Sequence, residues 1–258
     1  MPILLLIRHA TNDFVKTGRL PGHSPNIHLN EEGIAQAVSL TQALSKRKLH
    51  AVYASHLERA IETAFRVAAP HGLPVIIRPA MADIDNGDFT GKSIKEISEG
   101  EATKDLWKVV VEKPSDAKFP NGEGMLDMQA RVVGALEAIA AAHPDLVVED
   151  IVEDKTEAKP ETAASVVSAT PPNDPGQPGA AAAEPKEPRK EPQVVAVVAH
   201  ADVIKAALAH FLGMPFDLFQ RVGTSPASIS TVMLHTDEKT GKQHIMVQSI
   251  NVTPYSMS

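Results

Sequence analysis

The sequence predicts an α/β fold: a three-layer α/β/α sandwich with a mostly parallel sheet, helices on both faces and an antiparallel edge. Three observations predict it. Short apolar runs of strand length alternate with amphipathic stretches of helix length, joined by short connections. Ile3–Ile7 and Val194–Val198 are apolar without interruption, as expected of strands covered on both faces. Ile229–His235 and His244–Ile250 flank the turn-rich stretch Asp237–Lys242, as a terminal antiparallel pair would.

Each element follows in order. Ile3–Ile7 is a first strand, too short and without the basic lead-in that a signal peptide needs. Asn30 precedes Glu31 and Glu32, and apolar residues then recur at Ile34, Ala37, Val38, Leu40, Ala43 and Leu44, which describes an N-capped amphipathic helix. Ala51–Ala54 is a second strand, and His56–Ala69 a second helix closed by Pro70 and Gly72. Pro74–Ile77 is a third strand. Leu106–Val111 and Met125–Ala142 read as helices, the latter ended by His143-Pro144. Val194–Val198 is a fourth buried strand that leads into a helix at Ala201–Leu212. No internal repeat is visible.

Composition narrows the functional classes. The 258 residues include no cysteine, which excludes disulfides, a thiolate nucleophile, a cysteine zinc site and an iron–sulfur cluster. The formal charge of −7 and pI near 5.9 argue against nucleic-acid binding. No apolar run approaches the roughly 18 residues of a membrane span. The expectation is a soluble, cytoplasmic protein with neither nucleic acid nor membrane as partner; oligomeric state is not predicted. Residues 149–192 stand apart, holding 8 of the 20 prolines, no aromatic residue and a net charge of −5. Such a stretch buries too little apolar area to offset its ordering entropy. We therefore expect a single domain spanning 1–258, interrupted by a disordered acidic Pro/Ala-rich insertion at 149–192.

In sheets of this kind ligands gather beyond the carboxyl ends of the strands. The first strand ends in Arg8-His9-Ala10-Thr11. The second ends in Ser55, with Arg59 one turn into its helix. The fourth ends in Ala199-His200-Ala201-Asp202. Three separated strand ends thus deliver Arg8, His9, Arg59 and His200 to one edge, a donor set suited to an oxyanion.

Five segments carry a resemblance. Leu6–Thr11 is similar to the Arg-His-Gly signature of the histidine phosphatase superfamily, the phosphoglycerate-mutase-like proteins. Ser55–Ala64 resembles that family's Ser-x-x-x-Arg-Ala-x-x-Thr segment, Ala82–Gly91 its acid-bearing loop, Asn121–Glu123 its Gly-Glu-Ser loop, and Ala199–Asp202 the region of its second histidine. The segments occur in the family's order. The resemblance implies a cofactor-independent phosphomonoesterase of the small-phosphatase branch, acting on a small phosphorylated substrate. His9 would attack phosphorus to form a phosphohistidine, while Arg8, Arg59 and His200 hold the phosphoryl oxygens. By motif position Asp83 is the general acid, with Asp85 and Asp88 as competitors.

The chain departs from the family pattern. Ala10 and Ala201 stand where glycine usually follows each histidine, and Asp83 where glutamate is common. Gly122-Glu123-Gly124 lacks the usual serine, and Val15 falls where a phosphate-binding asparagine is often found, so Thr11 or Asn12 would take that role. Arg19, in the loop Lys16–His23, and Ala201 are candidate substrate-binding positions, with Lys16 and His23 as further readers of substrate charge. Hydrolysis is favoured over a mutase reaction, because Met81–Gly91 is followed shortly by Leu106–Val111 without an extended insert. Two other classes stay in view: a metal-dependent hydrolase with His9, His200 and Asp83 as ligands, and a catalytically weak phosphate-binding member of the fold. No metal or cofactor is expected under the favoured reading.

Overall fold

The computed structural model describes residues 1–148, 189–237 and 239–254. The chain runs β1 (Ile3–Arg8), α1 (Asp13–Lys16), α2 (Glu31–Leu44), β2 (Ala51–Ala54), α3 (Glu58–Ala68), β3 (Val75–Ile77), α4 (Ile94–Glu99), α5 (Lys104–Glu112) and α6 (Met125–Ala141). It continues through β4 (Leu146–Val148), β5 (Arg189–Glu191), β6 (Val194–Ala199), α7 (Ala201–Phe211), β7 (Ile229–Thr236) and β8 (Gln243–Val252). Six strands form the main sheet in the order β3-β2-β6-β1-β7-β8. The pairs β3–β2, β2–β6 and β6–β1 are parallel. The pairs β1–β7 and β7–β8 are antiparallel. This is the mixed, mostly parallel sheet with an antiparallel edge that the alternation predicts. β4 and β5 pair with each other in a separate two-stranded ribbon. The expected disordered segment lies outside the described residues over 149–188, and its last residues form β5. No helix among the described residues is long and apolar enough to cross a membrane.

The two-residue period of the strands builds a core on each face. Leu4 and Leu6 of β1, with Val195 and Val197 of β6, pack with Met128, Val132 and Leu136 of α6 and Val203, Ala207 and Leu208 of α7. Leu5 and Ile7, with Ala196 and Val198, face the other way onto Ala37, Leu40 and Leu44 of α2 and Ala60, Ala64 and Val67 of α3. The inner strands are buried on both sides, which is why their sequences are unbroken apolar runs rather than alternating ones.

Elements too short to show a period were not visible in the sequence. α1 has four residues and starts where the Asn12 side chain accepts from the Val15 amide. α4 has six residues and depends on a capping box between Ser93 and Glu96. The third strand starts at Val75, one residue after Pro74.

Helix α2 begins where Asn30 Oδ1 accepts the Gly33 amide at 2.9 Å. Gly33 is needed there for space: a Cβ at this position would lie 2.0 Å from the Thr11 carbonyl oxygen. The helix therefore braces the loop after β1 through backbone contact. Ala for Gly gains about 1 kcal/mol of helix propensity, but overpacking against a fixed backbone atom costs about 1–3 kcal/mol. Gly33→Ala is expected to lower the midpoint of urea unfolding; an unchanged or raised midpoint would show that the Thr11 loop is not held against the helix.

Candidate functional site

The loop after β1 is tethered on every side. The Ala10 amide donates to Thr63 Oγ1 at 3.1 Å, and the Thr11 amide to Gln36 Oε1 at 2.9 Å. The Ala227 amide reaches the carbonyls of Arg8 at 3.1 Å and His9 at 3.3 Å, and Arg8 Nη1 donates to the Thr224 carbonyl at 2.6 Å. Strands β1 and β6 run in register from Ile3↔Val194 to Arg8↔Ala199, so His9 and His200 emerge side by side. Their ring centroids are 5.1 Å apart, tilted by 57°.

Both imidazoles are buried, and for His9 the proton position follows from its partner. His9 Nδ1 lies 2.8 Å from the Ala10 carbonyl oxygen. A carbonyl can only accept, so Nδ1 carries the hydrogen and Nε2 keeps its lone pair. His200 Nε2 is 2.9 Å from Ser55 Oγ, which itself accepts the Leu57 amide at 3.2 Å. The Ser55 hydroxyl is able to give or to take the hydrogen in this contact, so it orients the ring without choosing its tautomer; Nδ1 is buried with no hydrogen-bond partner among the described residues. Burial pulls the basicity of His9 well below the ordinary 6.5, helped by His200, Arg59 and Arg8. Burial does the same to His200, followed by Arg59, Arg8, His23 and His56. Both rings are therefore neutral at physiological pH.

Arg59, in the first turn of α3, has no solvent exposure. Its Nη2 donates to the Gly22 carbonyl at 2.9 Å and to Asp83 Oδ2 at 3.1 Å. Its Nε and Nη1 are buried with no partner among the described residues. Asp83 Oδ1 accepts the Ile84 amide at 3.1 Å, and Oδ2 stands 3.6 Å from His200 Nδ1. Asn12 is fully buried; its Oδ1 caps α1, and its Nδ2 is a further donor without a partner among the described residues. Helices α3 and α7 both start at this sheet edge, and neither N-cap residue, Leu57 or His200, makes a side-chain capping bond among the described residues.

The structure thus gathers His9, His200, Arg59 and Asp83, with Arg8 acting electrostatically on both rings. Thr11 is buried beside Asn12, and Ala201 is the first residue of α7, directly after His200. The alanines in place of glycine cause no backbone strain, since neither Ala10 nor Ala201 has a positive φ. Asp85 and Asp88 are occupied elsewhere: Asp85 Oδ1 accepts the Gly87 amide at 2.9 Å, and Asn121 Nδ2 bonds both carboxylate oxygens of Asp88 at 3.1 Å. Arg19 is not drawn into the cluster. Its Nη1 donates to the Gly91 carbonyl at 2.9 Å and lies 3.5 Å from Glu96, because the loop is bridged to Ser93. Lys16 pairs with Glu32 at 2.7 Å on the surface. His23, from the same loop, does reach the site, with Nε2 2.7 Å from the Asp83 carbonyl oxygen. A cleft of about 560 Å³ opens next to the loop that carries Asp83; His23, His56, Ala82, Asp127, Glu123 and Arg131 are in its lining, and His9, Arg59, Asp83 and His200 are not.

Sequence reasoning missed the tethers Gln36, Thr63, Thr224 and Ala227. Thr63 lies inside a motif that was recognised, but nothing in sequence shows that its hydroxyl holds a backbone amide 53 residues away. Among the described residues no group of three or more His, Asp or Glu side chains is arranged to hold a metal ion. Of the three residues weighed as metal ligands, Asp83 already has Oδ2 paired with Arg59.

Fold and site define an α/β protein with buried histidine and arginine side chains gathered at the carboxyl ends of parallel strands. The profile of the histidine phosphatase superfamily (branch 1) matches residues 4–149 and 178–245, and the chain belongs to that family. Phosphoserine phosphatase 1 of Hydrogenobacter thermophilus is 34% identical over 141 residues, covering 54% of this chain and 65% of that relative. The metal-independent phosphoserine phosphatase of Arabidopsis thaliana is 32% identical over 143 residues, covering 54% and 59%. The chain thus spans somewhat less than two thirds of the length of these curated relatives. A solved structure of a mycobacterial glucosyl-3-phosphoglycerate phosphatase superposes with a TM-score of 0.68 at 22% identity, covering 98% of this chain and all of that one. At that identity the likeness concerns the fold.

The buried neutral histidines make a prediction about stability. Their folded-state proton affinity is depressed, so below pH ~6.5 the unfolded chain binds protons that the folded protein refuses. Stability is full above that pH and falls on acidification, with a slope approaching one proton per histidine. Urea unfolding of the phosphate-free protein between pH 7.5 and 5 is expected to show this loss. The pair His9→Asn and His200→Asn should flatten it; a slope equal to wild type would mean that the rings are not held neutral.

Proposed function

We propose that the protein is a phosphomonoester hydrolase that works through a phosphohistidine on His9 and acts on a small phosphorylated metabolite. One observation carries this reading: the fully buried Arg59 guanidinium, with Nε and Nη1 unmatched, lies in a site shared with two buried neutral imidazoles. A buried cation with unused donors is costly unless an anion completes it. A phosphoryl group fits, since its oxygens accept from guanidinium forks. Asn12 Nδ2 and, in the tautomer with its hydrogen there, His200 Nδ1 supply further donors, both buried without partners among the described residues. Thr11, the amides at Ala201 and Arg8 complete the phosphate-binding set.

His9 Nε2 attacks phosphorus in line as the bond to the leaving oxygen breaks, and Asp83, which enters this step as the protonated carboxyl, gives that oxygen its proton and is left as the carboxylate. Water then attacks the phosphohistidine and passes a proton to the Asp83 carboxylate. The P–N bond breaks, releasing phosphate and neutral His9. Arg8, Arg59 and His200 stabilise charge on the transferring group throughout, which is the main contribution a protein makes to phosphoryl transfer. The cleft next to the loop that carries Asp83 has room for a small leaving group. The names of the relatives support a small phosphometabolite, and phosphoserine is the first substrate to assay.

His9→Ala is expected to abolish turnover, and wild type quenched during turnover of labelled substrate should carry acid-labile phosphate that this variant lacks. Asp83→Asn should cost alkyl phosphates about 10²–10⁴-fold, the usual worth of general acid–base catalysis, while sparing p-nitrophenyl phosphate, whose leaving group needs no proton. Equal loss on both would remove Asp83 as the acid. With 3-phosphoglycerate and 2,3-bisphosphoglycerate we expect release of inorganic phosphate. Rapid isomerisation without release would make the protein a mutase.

A further inference from the structure

We propose that Arg131, on α6, is a positioning residue that fixes Asp83 in its proton-donating geometry; this rests on the hydrolase reading above. A guanidinium has five N–H groups, and Arg131 uses all five within the protein. Nε donates to Glu123 Oε1 at 2.8 Å and Nη2 to Glu123 Oε2 at 2.7 Å, the bidentate fork. Nη1 donates to the carbonyls of Ala80 at 2.7 Å and Ala82 at 3.1 Å, and Nη2 reaches the Asp83 carbonyl at 3.4 Å. Three bonds thus fall on the backbone that ends at Asp83.

The contrast with Arg59 separates two kinds of arginine in one site. Arg59 is buried with two nitrogens unmatched, as a ligand-binding group is before its ligand arrives. Arg131 is about three-quarters buried and saturated, so it has no donor left for a substrate. Its bonds tie together two segments far apart in sequence. Glu123 also contributes its backbone amide, which donates to the Asp85 carbonyl at 2.9 Å. Close packing completes the contact: a Cβ at Gly122 would lie 2.4 Å from the Asp85 carbonyl oxygen. Loop 80–85 is therefore held to the 119–123 loop from both ends, while His23 grips the Asp83 carbonyl from the other side at 2.7 Å.

Asp83 needs such bracing more than a longer acid would. Aspartate is one methylene shorter than glutamate, so its carboxyl must be carried to the leaving group by the backbone itself. A carboxyl already drawn toward Arg59 and His200 would turn further into the phosphate site if its backbone were released. A misplacement of about 1 Å can cost roughly 10²-fold in rate.

The test is leaving-group dependence in Arg131→Gln, Arg131→Lys and Glu123→Gln, assayed on phosphoserine and p-nitrophenyl phosphate. We expect Arg131→Gln to lose roughly ten- to hundredfold on the alkyl ester and less than about threefold on the nitrophenyl ester. Arg131→Lys should not rescue, because an ammonium keeps the charge but cannot fork. Combined with Asp83→Asn, Arg131→Gln should add little further loss on phosphoserine. Equal loss on both esters, rescue by lysine, or losses that multiply in the double variant would overturn the proposal. If Arg131→Gln does not fold, Glu123→Gln, which keeps volume and removes one half of the fork, must show the same split in milder form or the proposal fails. Retained binding of inorganic phosphate reports that the Arg59 site is intact. The single variant Asp83→Asn separates the two readings. A split there without one in Arg131→Gln removes only the positioning role, whereas no split there removes the acid on which it rests.

Discussion

A positive charge sealed from bulk solvent organises this molecule. Arg59 is sealed under the loops that follow β1 and β3, and its pairing with Asp83 and Gly22 satisfies only one of its three nitrogens. Leaving buried charge incompletely paired costs several kcal/mol, on the order of what a whole domain has to spare. Such a group persists where its cost is recovered by an anion. The depressed basicity of both histidines has part of its cause in the same guanidinium. A site that holds two imidazoles neutral beside two arginines is primed for negative charge, and it leaves a nucleophilic nitrogen unprotonated.

The fold supplies the rest by placing three strand ends in one plane. β1 and β6 are paired in exact register up to Arg8 and Ala199, so their next residues, both histidines, come out as neighbours. β2, on the far side of β6, brings Ser55 under His200 and starts the helix that carries Arg59. The Ala10 carbonyl selects the tautomer of His9, and Ser55 orients His200. Alanine in place of glycine at 10 and 201 is tolerated because neither position requires a left-handed backbone.

The sheet was legible in the sequence because its inner strands are buried on both faces, and that leaves uninterrupted apolar runs such as Val194–Val198. Arg8, His9, Arg59, Asp83 and His200 were legible because each sits at a strand end or in a recognisable segment. Arg19 was misplaced because a loop has no period to say where a side chain goes; its guanidinium follows the Ser93 bridge and ends on Gly91 and Glu96. Gln36, Thr63 and Thr224 were invisible for a different reason. Gln36 and Thr63 accept backbone amides, and the Thr224 carbonyl accepts from the Arg8 guanidinium, all brought near only by tertiary packing; their own sequence neighbourhoods look like ordinary helix or loop. Arg131 belongs to the same class, since a solvated helix residue and a saturated fork read alike until the carbonyls around it are known.

The central claim is that Arg59 is buried for an oxyanion rather than for the fold. Titrating inorganic phosphate into wild type and Arg59→Met, and following the melting temperature, tests it directly. The account predicts a concentration-dependent rise in wild type, as expected for a ligand that binds only the folded state, and none in the variant. A folded Arg59→Met that gains as much from phosphate as wild type would contradict it.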